Sequence, residues 1–195
     1  MMAIARDSLL SLEQYARQRP EFRARVLAHK KSRTLHVGEH VTLVFEDELT
    51  IRYQVQEMLR IERTFEEAGI VDELDAYNPL VPDGHNWKVT MLIEFPDEAE
   101  RRVWLGRLKG VEDRVWVRVA GFDPVYAIAD EDLERENDEK TSSVHFLRFE
   151  LGPQRARAML DGAALAVGID HAAYTAAVDP VPDPIRNSLC GDLRV

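Results

Sequence analysis

Residues 45–65, FEDELTIRYQVQEMLRIERTF, constrain this chain more than any other stretch. Projected at 100° per residue, Ile51, Val55, Met58, Leu59, Ile61 and Phe65 fall on one arc, which predicts an amphipathic helix with that arc turned to a core. Gln54 and Glu62 lie inside the same arc. A carboxylate within an apolar face has to be paired, protonated or coordinated, because an isolated buried charge costs on the order of several kcal/mol even after relaxation. Two arrangements satisfy Glu62. One pairs it with an arginine of the preceding basic segment, such as Arg23 or Arg25; the other makes it the centre of a small polar site with Gln54, Glu57 and histidines brought in by the fold. Glu57 also lies three residues before Arg60, within pairing distance on the exposed side.

A chain of 195 residues, 45% hydrophobic, is long enough for one sizeable core, so a single domain over residues 1–195 is expected. The net charge of −10 argues against general binding to nucleic acid or to anionic membranes. That charge is uneven. Residues 1–33 form a basic arm, with Arg6, Arg17, Arg19, Arg23, Arg25, Lys30, Lys31 and Arg33 against Asp7, Glu13 and Glu21. Such an arm either folds back on its own acidic body or docks on an acidic partner. The single cysteine, Cys190, excludes an intrachain disulfide and a cysteine-rich metal site, which fits a reducing compartment. The first twenty residues lack the apolar core of a signal peptide and no run reaches membrane-spanning length, so a cytoplasmic location is expected.

The remaining pattern predicts irregularly mixed elements. A first helix starts at Asp7 or Ser8 and ends near Arg17, and Pro20 opens a second. Residues 34–45 alternate as one strand, bent at Gly38. Gly69 ends the central helix, and residues 72–77 form a helical turn. Strands follow at 88–95, 111–120, 144–151 and 163–167, with helices at 96–110, 153–161 and 184–190. Residues 130–141 form a solvated acidic loop, with seven acidic side chains between 130 and 140. Strands without a βαβ rhythm indicate an α+β domain with a mostly antiparallel sheet.

Common catalytic signatures are absent: there is no glycine-rich phosphate loop, G-x-S-x-G, H-E-x-x-H or C-x-x-C. The acidic loop fails as a calcium loop, since Arg135 stands where glycine is required and Thr141 where a bidentate glutamate is required. His36 and His40 share a face, but four residues of straight strand hold them about 13 Å apart, too far for one ion. Asp170, His171 and Tyr174 place an acid, an imidazole and a phenol near one another without a nucleophile. His171 therefore reads as a hydrogen-bonded strand end, and Cys190 as a packed side chain. Metal candidates are Glu62, His36, His40 and His171; no cofactor is evident, and a bound divalent metal is the alternative.

PEFRARVLAHKKSR, FEDELTIRYQVQEMLRIER, AYNPLVPDG, SSVHFLRFEL and IDHAAY together resemble a bacterial family of about this length that is classed only as a domain of unknown function. The resemblance spans nearly the whole chain. It implies a setting beside rubrerythrin-like proteins and iron–sulfur oxidoreductases, hence redox or peroxide stress, and brings no catalytic residues with it. Three readings follow. The first is a non-enzymatic accessory or binding protein with a protein partner from a redox system, using the arm (Arg23, Arg25) or the central-helix residues Gln54, Glu57 and Glu62. The second is a metal-binding protein or metal-dependent enzyme around Glu62. The third is a homodimer through the central helix.

Overall fold

A computed structural model describes residues 3–137 and 139–194. The amphipathic stretch becomes helix α2 (Glu48–Glu62), started by a reciprocal cap in which Asp47 accepts from the Thr50 amide and Thr50 accepts from the Asp47 amide. It stops where Arg63 takes a left-handed conformation, φ 54°. The stop expected at Gly69 is thereby corrected, for Gly69 lies in the first turn of α3 (Glu67–Tyr77), where the absence of a side chain lets the Thr64 methyl approach. Burial on α2 follows the row Ile51, Val55 and Leu59 and turns toward Gln56. Ile61 and Phe65 stay 60% and 75% exposed. Phe65 lies beyond the helix end, so a helical projection no longer describes where it points.

Helix α1 (Leu12–Lys30) precedes this unit and is continuous, which corrects the two helices expected on either side of Pro20. Proline in a helix interior removes a backbone hydrogen bond and costs about 3 kcal/mol. Here a capping box between Ser11 and Gln14 and the burial of Tyr15 and Val26 hold helix on both sides of it. Helices α1 to α3 enclose a small core of Ile4, Leu9, Ile51, Val55, Leu59 and Leu74.

The larger core lies between two antiparallel sheets. The first has the order β1-β2-β3-β7-β6, from β1 (Thr34–Val37), β2 (Val41–Glu46), β3 (Asn86–Ile93), β7 (Val144–Glu150) and β6 (Ile128–Ala129). The second has the order β5-β4-β8-β9, from β5 (Val125–Tyr126), β4 (Val115–Val119), β8 (Leu165–His171) and β9 (Tyr174–Val178). Inward residues such as Phe45, Met91, Leu147, Val117 and Val167 are at most 2% exposed. Helices α4 (Glu98–Arg107), α5 (Gly152–Leu160) and α6 (Asp183–Cys190) close the core through Leu105, Met159 and Leu189. The fold is a single α+β domain with antiparallel sheets, as the sequence indicates.

Two departures have clear causes. The strand expected over 34–45 is a hairpin, because Gly38 at φ 74° turns the chain between β1 and β2, where Tyr174 donates to the Val37 carbonyl. The β8–β9 hairpin replaces a single last strand at 163–167. Its Gly168 faces Trp116 across the β4–β8 pair so closely that a Cβ there would sit 2.3 Å from the indole.

Candidate functional site

On the outer face of the first sheet, Met58 of α2, residues 73–80 and residues 131–135 border a cleft of about 590 Å³. This falls within the roughly 300–1,000 Å³ range of small-molecule sites. Met58, Tyr77, Pro79, Leu80 and Phe146 give it apolar walls. Two cationic side chains meet on its floor, where Lys88 on β3 stands directly across the strands from Arg148 on β7. Arg148 is held by Glu131, at 2.7 Å through both Nε and Nη2, and by Glu150. Among the described residues no carboxylate oxygen lies within 4.0 Å of the Lys88 ammonium. Partial burial, and secondarily the neighbouring Arg148, lower its affinity for a proton, against a smaller opposing pull from Glu131, Asp83 and Glu150.

An acidic rim faces this floor. Burial raises the Glu73 carboxyl above its ordinary range, and the nearby Glu62 and Asp72 raise it further. Glu131 is held low by Arg148, and Asp132 by Arg135. Arg135 also stacks on the Phe146 ring at 4.6 Å and reaches Asp130 at 3.2 Å. Asp130 in turn holds the fully buried His145, with Oδ2 2.6 Å from Nδ1, while its Oδ1 accepts from the Phe146 amide. The start of the acidic segment is thus anchored through the sheet into the core.

The residues singled out from sequence are distributed differently. Glu62 is the last residue of α2 and is solvent-exposed, so the expected buried carboxylate is corrected; neither Arg23 nor Arg25 pairs with it among the described residues, and both are exposed on α1. Arg25 lies over the Phe22 ring at 4.8 Å. Gln54 is half-buried, and the buried glutamine is Gln56, whose amide bonds both backbone groups of Leu10. Glu57 is not confined to an exposed pair with Arg60: Arg19 and Tyr15 of α1 converge on it.

His36 contacts Thr42 Oγ1, and His40 stacks on Phe95 at a centroid distance of 4.0 Å. His171 ends β8 with Nε2 3.0 Å from the Lys109 carbonyl. Tyr174 turns away to the Val37 carbonyl, so Asp170, His171 and Tyr174 form no common centre. Cys190 is half-buried, and burial pushes its thiol up. Among the described residues Glu62, His36, His40 and His171 join no cluster of three metal-ligand side chains, whereas Glu112, Asp130 and His145 do.

Sequence reasoning passed over Lys88, which appears as the polar start of an alternating strand. A signal was present in the outward parity of Leu92 and Phe146, apolar side chains that require cover. His145 shares the inward parity of Leu147 and Phe149, which marks it as a core histidine.

Fold and cleft define an α+β protein with an amphipathic pocket whose floor carries Lys88, a cation with no carboxylate within 4.0 Å among the described residues. Residues 3–193 match the family described as Protein of unknown function (DUF3501), and the chain belongs to that family. A crystal structure at 1.90 Å of a novel protein of unknown function from Burkholderia pseudomallei K96243 is similar to it, with 55% identity over 99% of this chain and 100% of that one and a TM-score of 0.93. No curated protein matches the chain.

Proposed function

We propose that this is a non-enzymatic binding protein whose cleft takes a small organic anion. The observation that carries the reading is Lys88, half-buried on the floor of a largely apolar pocket with no carboxylate within ion-pair distance among the described residues. A buried charge without a partner is costly, and a bound carboxylate or phosphate supplies one. The apolar walls then accept the rest of the ligand, while the acidic rim disfavours polyanions. The redox or peroxide-stress setting implied by the family resemblance belongs to this proposal, as does a cytoplasmic location.

Thermal shift with a panel of aromatic and aliphatic carboxylates and phosphate monoesters tests it. At least one compound should stabilise the wild-type chain and leave Lys88→Met unmoved. A panel that shifts neither protein, or both equally, removes Lys88 from the account.

A protein partner is a second reading, favoured by the exposed Arg23 and Arg25 on α1. Arg23→Ala/Arg25→Ala should recover less of an acidic partner from a pull-down, with circular dichroism confirming an intact fold. Equal recovery would leave the arm without that role.

A further inference from the structure

The region around His145 is rich in acceptors and poor in donors. His145 is fully buried on β7, at the position facing Met91 of β3. Its Nδ1 is committed to Asp130 at 2.6 Å. Its Nε2 meets only oxygen: the Ser142 carbonyl at 3.0 Å, Thr141 Oγ1 at 3.1 Å and Glu112 Oε2 at 3.9 Å. Thr141 Oγ1 is also 3.4 Å from Glu112 Oε2. The Thr141 hydroxyl and the Glu112 backbone N–H thus face three acceptors: the imidazole lone pair, the Glu112 carboxylate and the Ser142 carbonyl. The Glu112 side chain is 10% exposed, and no lysine or arginine among the described residues pairs with it within 4.0 Å.

We propose that Glu112, Thr141, Ser142 and His145 form a site for one divalent transition-metal ion, with Asp130 as the outer carboxylate that orients the imidazole. Ligands bound at about 2.1 Å stand roughly 3.0 to 3.4 Å apart along the edges of an octahedron or tetrahedron. The distances of 3.0, 3.1 and 3.4 Å fit such edges, and the 3.9 Å separation from Glu112 closes with a small rotation of its carboxylate. One imidazole nitrogen with carboxylate, hydroxyl and carbonyl oxygens suits Zn2+, Mn2+ or Fe2+, and the lack of thiolate excludes a Cu(I) preference. A carboxylate on the far nitrogen of a ligating histidine fixes its tautomer and raises its basicity, as Asp130 is placed to do. The site lies behind the wall of the Lys88 cleft and shares no side chain with its floor.

The test uses the full chain without a histidine tag, freed of metal by chelation and titrated separately with Zn2+, Mn2+ and Fe2+ under anaerobic conditions. One equivalent should bind to the wild type, about tenfold to a hundredfold more weakly to Asp130→Asn, and with at least that loss to Glu112→Gln. Lys88→Met should bind as the wild type does. Because substitutions at buried positions can unfold a chain, Zn2+ is also titrated into the wild type labelled with 15N-histidine, where the Nε2 resonance of His145 should move to a metal-bound position. Failure of all three ions to bind would overturn the proposal. So would a response confined to other histidines, or unchanged affinity in folded Glu112→Gln.

Discussion

Arg19 holds Glu57 with two parallel hydrogen bonds, 2.7 Å through Nε and 2.9 Å through Nη2, so α1 is fastened to α2 by a bidentate ion pair. The Tyr15 hydroxyl donates to the same carboxylate at 2.7 Å, and Arg60 donates to it through Nε and Nη2. The basic arm is thereby folded against its own body at this point, and Arg6 repeats the pattern with Glu67.

Hydrogen bonding by Arg19 is the largest cause that holds Glu57 low, at about 2 against an ordinary 4.5. A carboxyl lowered by folding contributes stability that is full above its unfolded value and is lost as pH falls toward the folded one. Urea midpoints should therefore fall between pH 4.5 and 2 more steeply in the wild type than in Glu57→Gln. At pH 7 the substitution should cost about 1–2 kcal/mol, the range for partly solvated hydrogen bonds to a charged group.

The Arg33 guanidinium is 1% exposed and reaches Asp192 at 2.5 Å, 159 residues away. Arg33→Met should be tolerated less well than any arginine substitution on the exposed side of α1. Stranding one half of a buried pair typically costs about 3–5 kcal/mol, visible as a lowered denaturation midpoint. Burial pushes Asp192 up to about 6 even though Arg33 pulls it down. The corresponding stability is present below the unfolded value of 3.8 and is lost as pH rises through about 6. Asp192→Asn should remove that part of the pH dependence.

Lys88→Met should bind no anion yet unfold at the same or a higher temperature. Partial burial and the neighbouring Arg148 disfavour the charged amine, so its loss should stabilise by up to about 1 kcal/mol. A substantial fall in the melting temperature would show that Lys88 serves the fold.

Gly168→Ala should destabilise by about 1–3 kcal/mol, because the new methyl meets the Trp116 indole and the Ala176 carbonyl in the middle of the second sheet. Gly168→Ala combined with Trp116→Leu should recover part of the loss, measured by the same denaturation midpoint.

Much of the fold follows from local pattern. Alternation in β3 and β7, the Asp97 cap of α4 and the row Ile51, Val55 and Leu59 are all visible in the residues. The candidate site is less visible because it depends on partners brought from far along the chain. Glu62 looked buried because a helical wheel extends an arc without knowing where the helix stops, and Arg63 stops it with no glycine to announce the turn. Pro20 looked like a boundary because tertiary support from Tyr15 and Val26 has no local signature. Glu112 and His145 are 33 positions apart, and only the tertiary fold brings them to 3.9 Å.

The distance in sequence between Arg33 and Asp192 also sets an order of events during biosynthesis. Arg33 and the β1–β2 hairpin that follows it leave the ribosome long before Asp192, and until then the carboxylate near the guanidinium among the described residues is Asp47, at 3.5 Å. Closure of this part of the core therefore waits for Asp192, and chains terminated before that residue should be preferential substrates for cellular proteases.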